Sequence, residues 1–112
     1  MSTAGTMRVL SEVLAERASQ NVKWGEQNHP DGTGPDMRIV EVSGVTNSEL
    51  EDRARSRCDR MRREGKGTFE QILTEEWAEA IACDNPADLR AELIQVAAVA
   101  VAWVEAINRR TA

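Results

Sequence analysis

Positive charge is missing from one stretch of this 112-residue chain. No lysine or arginine occurs between Glu70 and Asp88, although four acids lie between those two positions. Cysteine is scarce as well. Cys58 and Cys83 form no CxxC pair and no disulfide scaffold, so each is expected to be a buried, reduced thiol within a helix. No GxxxxGK[ST] run is present, which excludes a P-loop; Gly32-Thr33-Gly34 reads instead as a loop able to close over a ligand. Met1 to Gly5 lacks the apolar segment of a signal peptide. The most apolar run, Leu93 to Val104, is interrupted by Gln95 and is too short to span a bilayer, so a cytoplasmic location is expected. A formal net charge of -5 gives no general attraction to nucleic acid. Internal repeats and low-complexity segments are absent. What remains, 41% hydrophobic and 29% charged residues, is the composition of one globular domain covering 1–112. Its core is small enough that association with other copies should enlarge it.

The periodicity is helical throughout, and the expected class is all-α: a bundle of about four helices with a long loop after the first. Met7 to about Trp24 reads as the first helix, with Val9, Leu10, Val13 and Leu14 as an apolar stripe reaching toward Ala18. Arg8, Glu12, Glu16 and Arg17 fall mostly off that stripe, and Gly25 is the stop. Gly25 to Val45, rich in Gly, Pro, Asn and Asp, should be mostly loop, with a short extended piece at Met37 to Val42. Thr46-Asn47-Ser48-Glu49 fits a capping box for a second, charged helix with a narrow stripe of Leu50, Ala54, Cys58 and Met61. That helix ends around Gly65-Lys66-Gly67. Its arginines, Arg53 to Arg63, could gather a triphosphate or a nucleic acid, but they interleave with acids and read first as a salt-bridged, solvated face. Thr68-Phe69-Glu70-Gln71 is a second capping box, opening a third helix whose core stripe is Phe69, Leu73, Trp77, Ala80 and Ile81. Asn85-Pro86 starts the fourth, with Asp88 favouring its dipole. From Leu89 to Ile107 that helix is apolar nearly all round, which implies burial on most sides, one of them against partner subunits. Trp77 and Trp103 read as core or subunit interface.

The chemistry-bearing pattern is Glu75-Glu76-Trp77-Ala78-Glu79 followed by Glu92 and Gln95. Residues three and four apart share a helix face, so an antiparallel pair of these helices gathers several carboxylates in one place. An EExxE by itself most often marks a solvated face. Here Glu76 and Glu79 lie along one row with Ile72 and Cys83, no base balances the acids, and Glu92 stands inside the most apolar helix. Carboxylates so placed repel unless a cation neutralises them, and oxygen ligands suit a hard ion such as Mg²⁺.

Glu75-Glu76-x-x-Glu79, a spacer, then Glu92-x-x-Gln95 resembles the MazG-like all-α nucleoside triphosphate pyrophosphohydrolases, whose pattern is EExxE, a spacer and ExxD. The stretch Gln20 to Pro30, containing Lys23-Trp24-Gly25-Glu26-Gln27-Asn28-His29-Pro30, is similar to the amino-terminal segment of small actinobacterial and phage members. The resemblance covers most of the chain, more loosely between Pro35 and Lys66. It implies cleavage of a nucleoside triphosphate, ribo or deoxyribo, between its α- and β-phosphates, giving the monophosphate and pyrophosphate. It implies Mg²⁺, with Mn²⁺ as the alternative ion, on Glu76, Glu79, Glu92 and Gln95. Glu75 and Glu76 would be the catalytic pair, Glu75 as a ligand or as the group that activates water. It also implies a homodimer or homotetramer.

Gln95 departs from the acidic residue of the pattern. A carbonyl oxygen still ligates Mg²⁺ but neutralises less charge, which implies weaker metal affinity, help from Asp88 one turn before Glu92, or a site that binds without cleaving. Lys23 and Trp24 are candidates to contact phosphate and base, with Trp24 as a core cap the alternative. His29, the single histidine, either shapes its loop or contacts substrate. A non-catalytic nucleotide- or metal-binding relative, and a helical adaptor whose acids serve only solubility, are the rival functions.

Overall fold

Glycine and proline set the boundaries of four helices: α1 (Thr3–Trp24), α2 (Asn47–Arg63), α3 (Phe69–Ile81) and α4 (Pro86–Thr111). The computed structural model describes residues 3–30 and 44–111, and no strand occurs among them. The extended piece expected at Met37 to Val42 and the Gly32-Thr33-Gly34 loop lie outside the described residues. α1 begins four residues earlier than its apolar pattern suggests. It stops at Gly25, whose φ of 68° suits glycine and whose N–H donates to the Asn21 carbonyl at 2.8 Å. At the start of α2 the Thr46 hydroxyl accepts from Glu49 N at 3.1 Å, which is half of a capping box. At α3 both halves form: Gln71 N donates to the Thr68 hydroxyl and Thr68 N donates to Gln71 Oε1. Asn85 caps α4, its Oδ1 accepting from Asp88 N at 2.9 Å, with Pro86 at the first helical position.

The helices lie in the order α2, α3, α4, α1, each packing on the next and none on the one beyond. Short connections make α2–α3 and α3–α4 antiparallel pairs. α1 runs in the same direction as α4, because Glu12 meets Arg90 while Arg17 meets Glu105. The seams are built from small residues. Six of the eleven buried apolar residues described are alanines: Ala54, Ala78, Ala80, Ala98, Ala102 and Ala106. Leu50, Ala54 and Ala78 join α2 to α3, while Phe69 packs on Ala102 and Ala106 to join α3 to α4. Alanine lets helix backbones approach closely, and that closeness brings side chains of α3 and α4 into one site.

Several expectations about burial need correction. Only Val13 of the α1 stripe is buried; Leu10 and Leu14 are exposed and join Met7 on an outward row. The periodicity of α1 therefore mixes two faces. Val9, Val13, Glu16 and Gln20 share the inward row, so Glu16 lies on the core side and not away from it. Trp77 is largely exposed, and Ala78, one position on, takes the buried place. α4 is not covered on most sides, since Leu89, Leu93, Val101 and Val104 face outward. The segment Pro86–Arg110 is long and apolar enough to cross a membrane by length and composition, longer than the Leu93 to Val104 run suggests. Here it packs between α1 and α3. Cys58 is buried as expected, but Cys83 lies just past the end of α3 and is half-buried.

Candidate metal centre

Glu76 and Glu79 are one turn apart on α3, and the close α3–α4 seam brings Glu92 of α4 to them. One carboxylate oxygen from each lies within 4.8 Å of the other two. All three are half-buried. Glu76 Oε2 and Glu92 Oε2 are shut off from solvent and have no hydrogen-bond partner. Burial pushes the Glu76 carboxyl up to about 7, helped by the charges of Glu79, Glu92, Glu75 and Glu16. Burial also lifts Glu79 to about 7, with Glu92 and Glu75 adding to it, Arg55 pulling the other way and a hydrogen bond to Glu92 raising it further. These acids therefore resist ionisation near neutral pH.

Glu75 is not one of the three, although its charge reaches both Glu76 and Glu79. It hydrogen bonds the buried thiol of Cys58 on α2, which burial and this carboxylate together push up to about 12. Glu16 of α1 is the carboxylate that sequence reasoning missed. Its signal was the spacing of three from buried Val13, hidden because the outward leucines of α1 look equally periodic. Two neighbours of Glu16 on α1 also hold buried polar atoms without a partner, Arg17 Nη1 and Gln20 Oε1. Gln95 is half-buried, one turn after Glu92 on α4. Asp88, also on α4, is exposed and is engaged by the Asn85 side-chain amide at 2.8 Å.

The remaining sequence candidates lie elsewhere along the helices. Lys23 and Trp24 end α1, both exposed, with Lys23 Nζ 4.9 Å from the Trp24 ring centre. Trp24 is thus no core cap. Eight residues separate it from Glu16, roughly 12 Å of helix rise. His29 packs edge-on against Phe69, whose ring stacks on Trp103 at 5.7 Å between centroids. Phe69 precedes Glu76 by seven residues, roughly 10 Å along α3. Burial and the Arg62 charge hold His29 below its ordinary value, so it is neutral near pH 7. The stretch that contains His29 is pinned in place. Arg109 donates to the Gln27 carbonyl at 2.6 Å and to Asn28 Oδ1 at 2.9 Å, and Phe69 N donates to the Pro30 carbonyl at 2.8 Å.

Beside the three carboxylates a cleft of about 390 Å³ opens between α2 and α4, over the end of α3. Glu51, Arg55, Glu79, Cys83, Asp88 and Glu92 are among its lining residues.

The donor set fits a hard divalent cation. It offers carboxylate oxygens, two of them buried with no other partner, in a group whose mutual repulsion a cation would relieve.

No family model, curated protein or solved structure matches the chain.

Proposed function

We propose that the protein is a Mg²⁺-dependent nucleoside triphosphate pyrophosphohydrolase of the MazG-like kind. The observation that carries this reading is the pair of buried, unpartnered oxygens of Glu76 and Glu92, within a group of three carboxylates that has no basic partner apart from Arg55 among the described residues. Glu76, Glu79 and Glu92 would hold the ion, with the Gln95 carbonyl beside them. When bound, the ion supplies charge neutralisation for phosphate oxygens and lowers the pKa of a coordinated water.

The protein's own groups do the rest. Glu75, next to the ion cradle but not one of the three carboxylates that form it, is the group that would accept a proton from water. The water oxygen bonds to the α-phosphorus, and the bond from that phosphorus to the bridging oxygen breaks. The electron pair leaves with pyrophosphate, and the water proton goes to Glu75. Lys23 and Trp24, exposed at the end of α1, are the candidates for outer contacts with the nucleotide. The outward rows of α1 and α4, with Leu10, Leu14, Leu93 and Val104, are the surface for a second copy of the chain, as a dimer or tetramer. Such work on the nucleotide pool belongs to the cytoplasm.

One observation favours a second reading, a relative that binds nucleotide or metal without cleaving. Gln95 stands where the resemblance calls for an acid, so the cradle has one negative charge fewer. A panel of ribo- and deoxyribonucleoside triphosphates with Mg²⁺ or Mn²⁺ separates the two. Release of pyrophosphate and monophosphate, lost in Glu76→Gln, supports the enzyme. Metal-dependent stabilisation without release supports the binding protein, and neither effect leaves the helical adaptor.

A further inference from the structure

The cleft between α2 and α4 sorts its lining residues by chemistry. Its apolar members are small, Ala82, Ala91 and Cys83, and no aromatic ring lines it. Such a surface offers nothing for a nucleobase to stack on. Its charged members are acids with one exception, Arg55. Among the described residues, Arg55 is also the basic group whose charge bears on the carboxylate of Glu79. Its Nη2 lies 4.0 Å from Glu79 Oε1, so it borders the ion cradle directly.

We propose that Arg55 holds the β- and γ-phosphates of the substrate, the pyrophosphate that leaves, in the cleft between α2 and α4. The assignment rests on the hydrolase reading above and adds the direction in which the substrate lies. Three arguments support it. A guanidinium presents paired donors to phosphate oxygens, and a cleft of this acidity binds a polyanion only through such a donor and a bound cation. The present partners of Arg55 are weak: Glu51 at 3.1 Å and Asp52 at 3.8 Å, both on its own helix, with its side chain about half exposed. Solvent-screened pairs of that kind contribute little, so the arm is free to change partners. A cation on Glu79 would also cancel the attraction that draws Arg55 toward that carboxylate. Placing the charged tail on the α2 side leaves the nucleoside toward α1, where Glu16, Arg17 and Gln20 lie.

The test is titration of inorganic pyrophosphate into Mn²⁺-loaded protein, with Mn²⁺ binding followed separately by electron paramagnetic resonance. Arg55→Gln should weaken pyrophosphate binding about tenfold to a hundredfold, and Arg55→Lys by less, because lysine keeps the charge but loses the paired geometry. Mn²⁺ should bind both variants as tightly as wild type or more so. In turnover the loss should appear in KM before kcat. Pyrophosphate binding within about twofold of wild type in an Arg55→Gln protein that binds Mn²⁺ normally would overturn the assignment. So would a wild-type protein that takes up Mn²⁺ but no pyrophosphate. If the wild type binds pyrophosphate through Arg55 yet cleaves no triphosphate, the hydrolase reading falls and the Arg55 contact stands.

Discussion

The two ends of the α3–α4 hairpin treat polar groups in opposite ways. At the Phe69 end the polar groups of α3 and its cap find partners. The capping box of Thr68 and Gln71 is complete, Glu70 receives both Arg57 nitrogens at 2.6 and 2.8 Å and the Thr74 hydroxyl at 2.9 Å, and Arg109 clamps the Gln27–Asn28 backbone and side chain. At the Glu79 end two carboxylate oxygens are buried with nothing to accept from, and two carboxyls titrate near 7. A fold able to satisfy buried polar atoms at one end leaves them unsatisfied at the other. The contrast distinguishes the two ends better than the number of acids does, because Glu70 and Glu76 are the same residue type two turns apart with opposite shifts.

The comparison breaks most visibly at Phe69, the largest fully buried side chain described. Phe69→Ala should cost about 3–5 kcal/mol of unfolding free energy, read from urea denaturation. Next come neutralising substitutions, which should have opposite signs at the two ends. Glu70→Gln should destabilise by about 1.5–3 kcal/mol, because it weakens a two-bond contact to a charged partner. Glu76→Gln in chelator-treated protein should raise Tm at pH 7.5, on the order of 1 kcal/mol, because it removes a charge that burial and neighbouring carboxylates disfavour. Equal signs for the two would remove the distinction between the ends.

A pH scan tests the same contrast without mutation. Glu76 and Glu79 have folded values near 7, above their ordinary 4.5. The folded state therefore holds their protons more tightly than the unfolded chain does. That stabilisation is fully present below about 4.5 and is lost as pH rises through about 7. The Tm of metal-free protein should fall between pH 5 and pH 8, and Mg²⁺ should restore it more at the alkaline end, where the carboxylates are ionised. A Tm flat across that window in both conditions would show that the cradle is not coupled in this way. Glu70, held below its ordinary value by Arg57, acts in the other direction and only at lower pH. The smallest effect belongs to Gln95→Asp. It should raise Mg²⁺ affinity severalfold if the position faces the ion, and an unchanged titration would remove Gln95 from the ligand set.

The four helices were legible in the sequence because their caps are written locally: Thr46, Thr68 and Asn85-Pro86 each mark a helix start at or beside the structural one. The pairing of Glu76 and Glu79 with Glu92 was legible too, because helical spacing fixes faces. Glu16 was not, since its approach to Glu76 depends on how α1 crosses α4, and no local pattern encodes that. Nor was the contact of Glu75 with the Cys58 thiol, which depends on how α2 packs against α3. The outward leucines of α1 misled for a related reason. Periodicity reports that a face is apolar and does not say whether this chain or another covers it.

The alanine seam between α3 and α4 has a consequence for the choice of ion. Ala102 and Ala106 meet Phe69, and buried Ala98 lies one turn nearer Glu92 along α4, so small side chains keep α3 and α4 close on the way to the carboxylates. If the carboxylates hold an ion as proposed, that spacing would act as a gauge for ionic radius, set by residues that do not touch the ion. A bulkier side chain at Ala98 would widen it and favour Ca²⁺, which accepts longer and more numerous oxygen contacts, over Mg²⁺, which does not. Descendants of this chain could drift from one metal diet to another with every carboxylate unchanged.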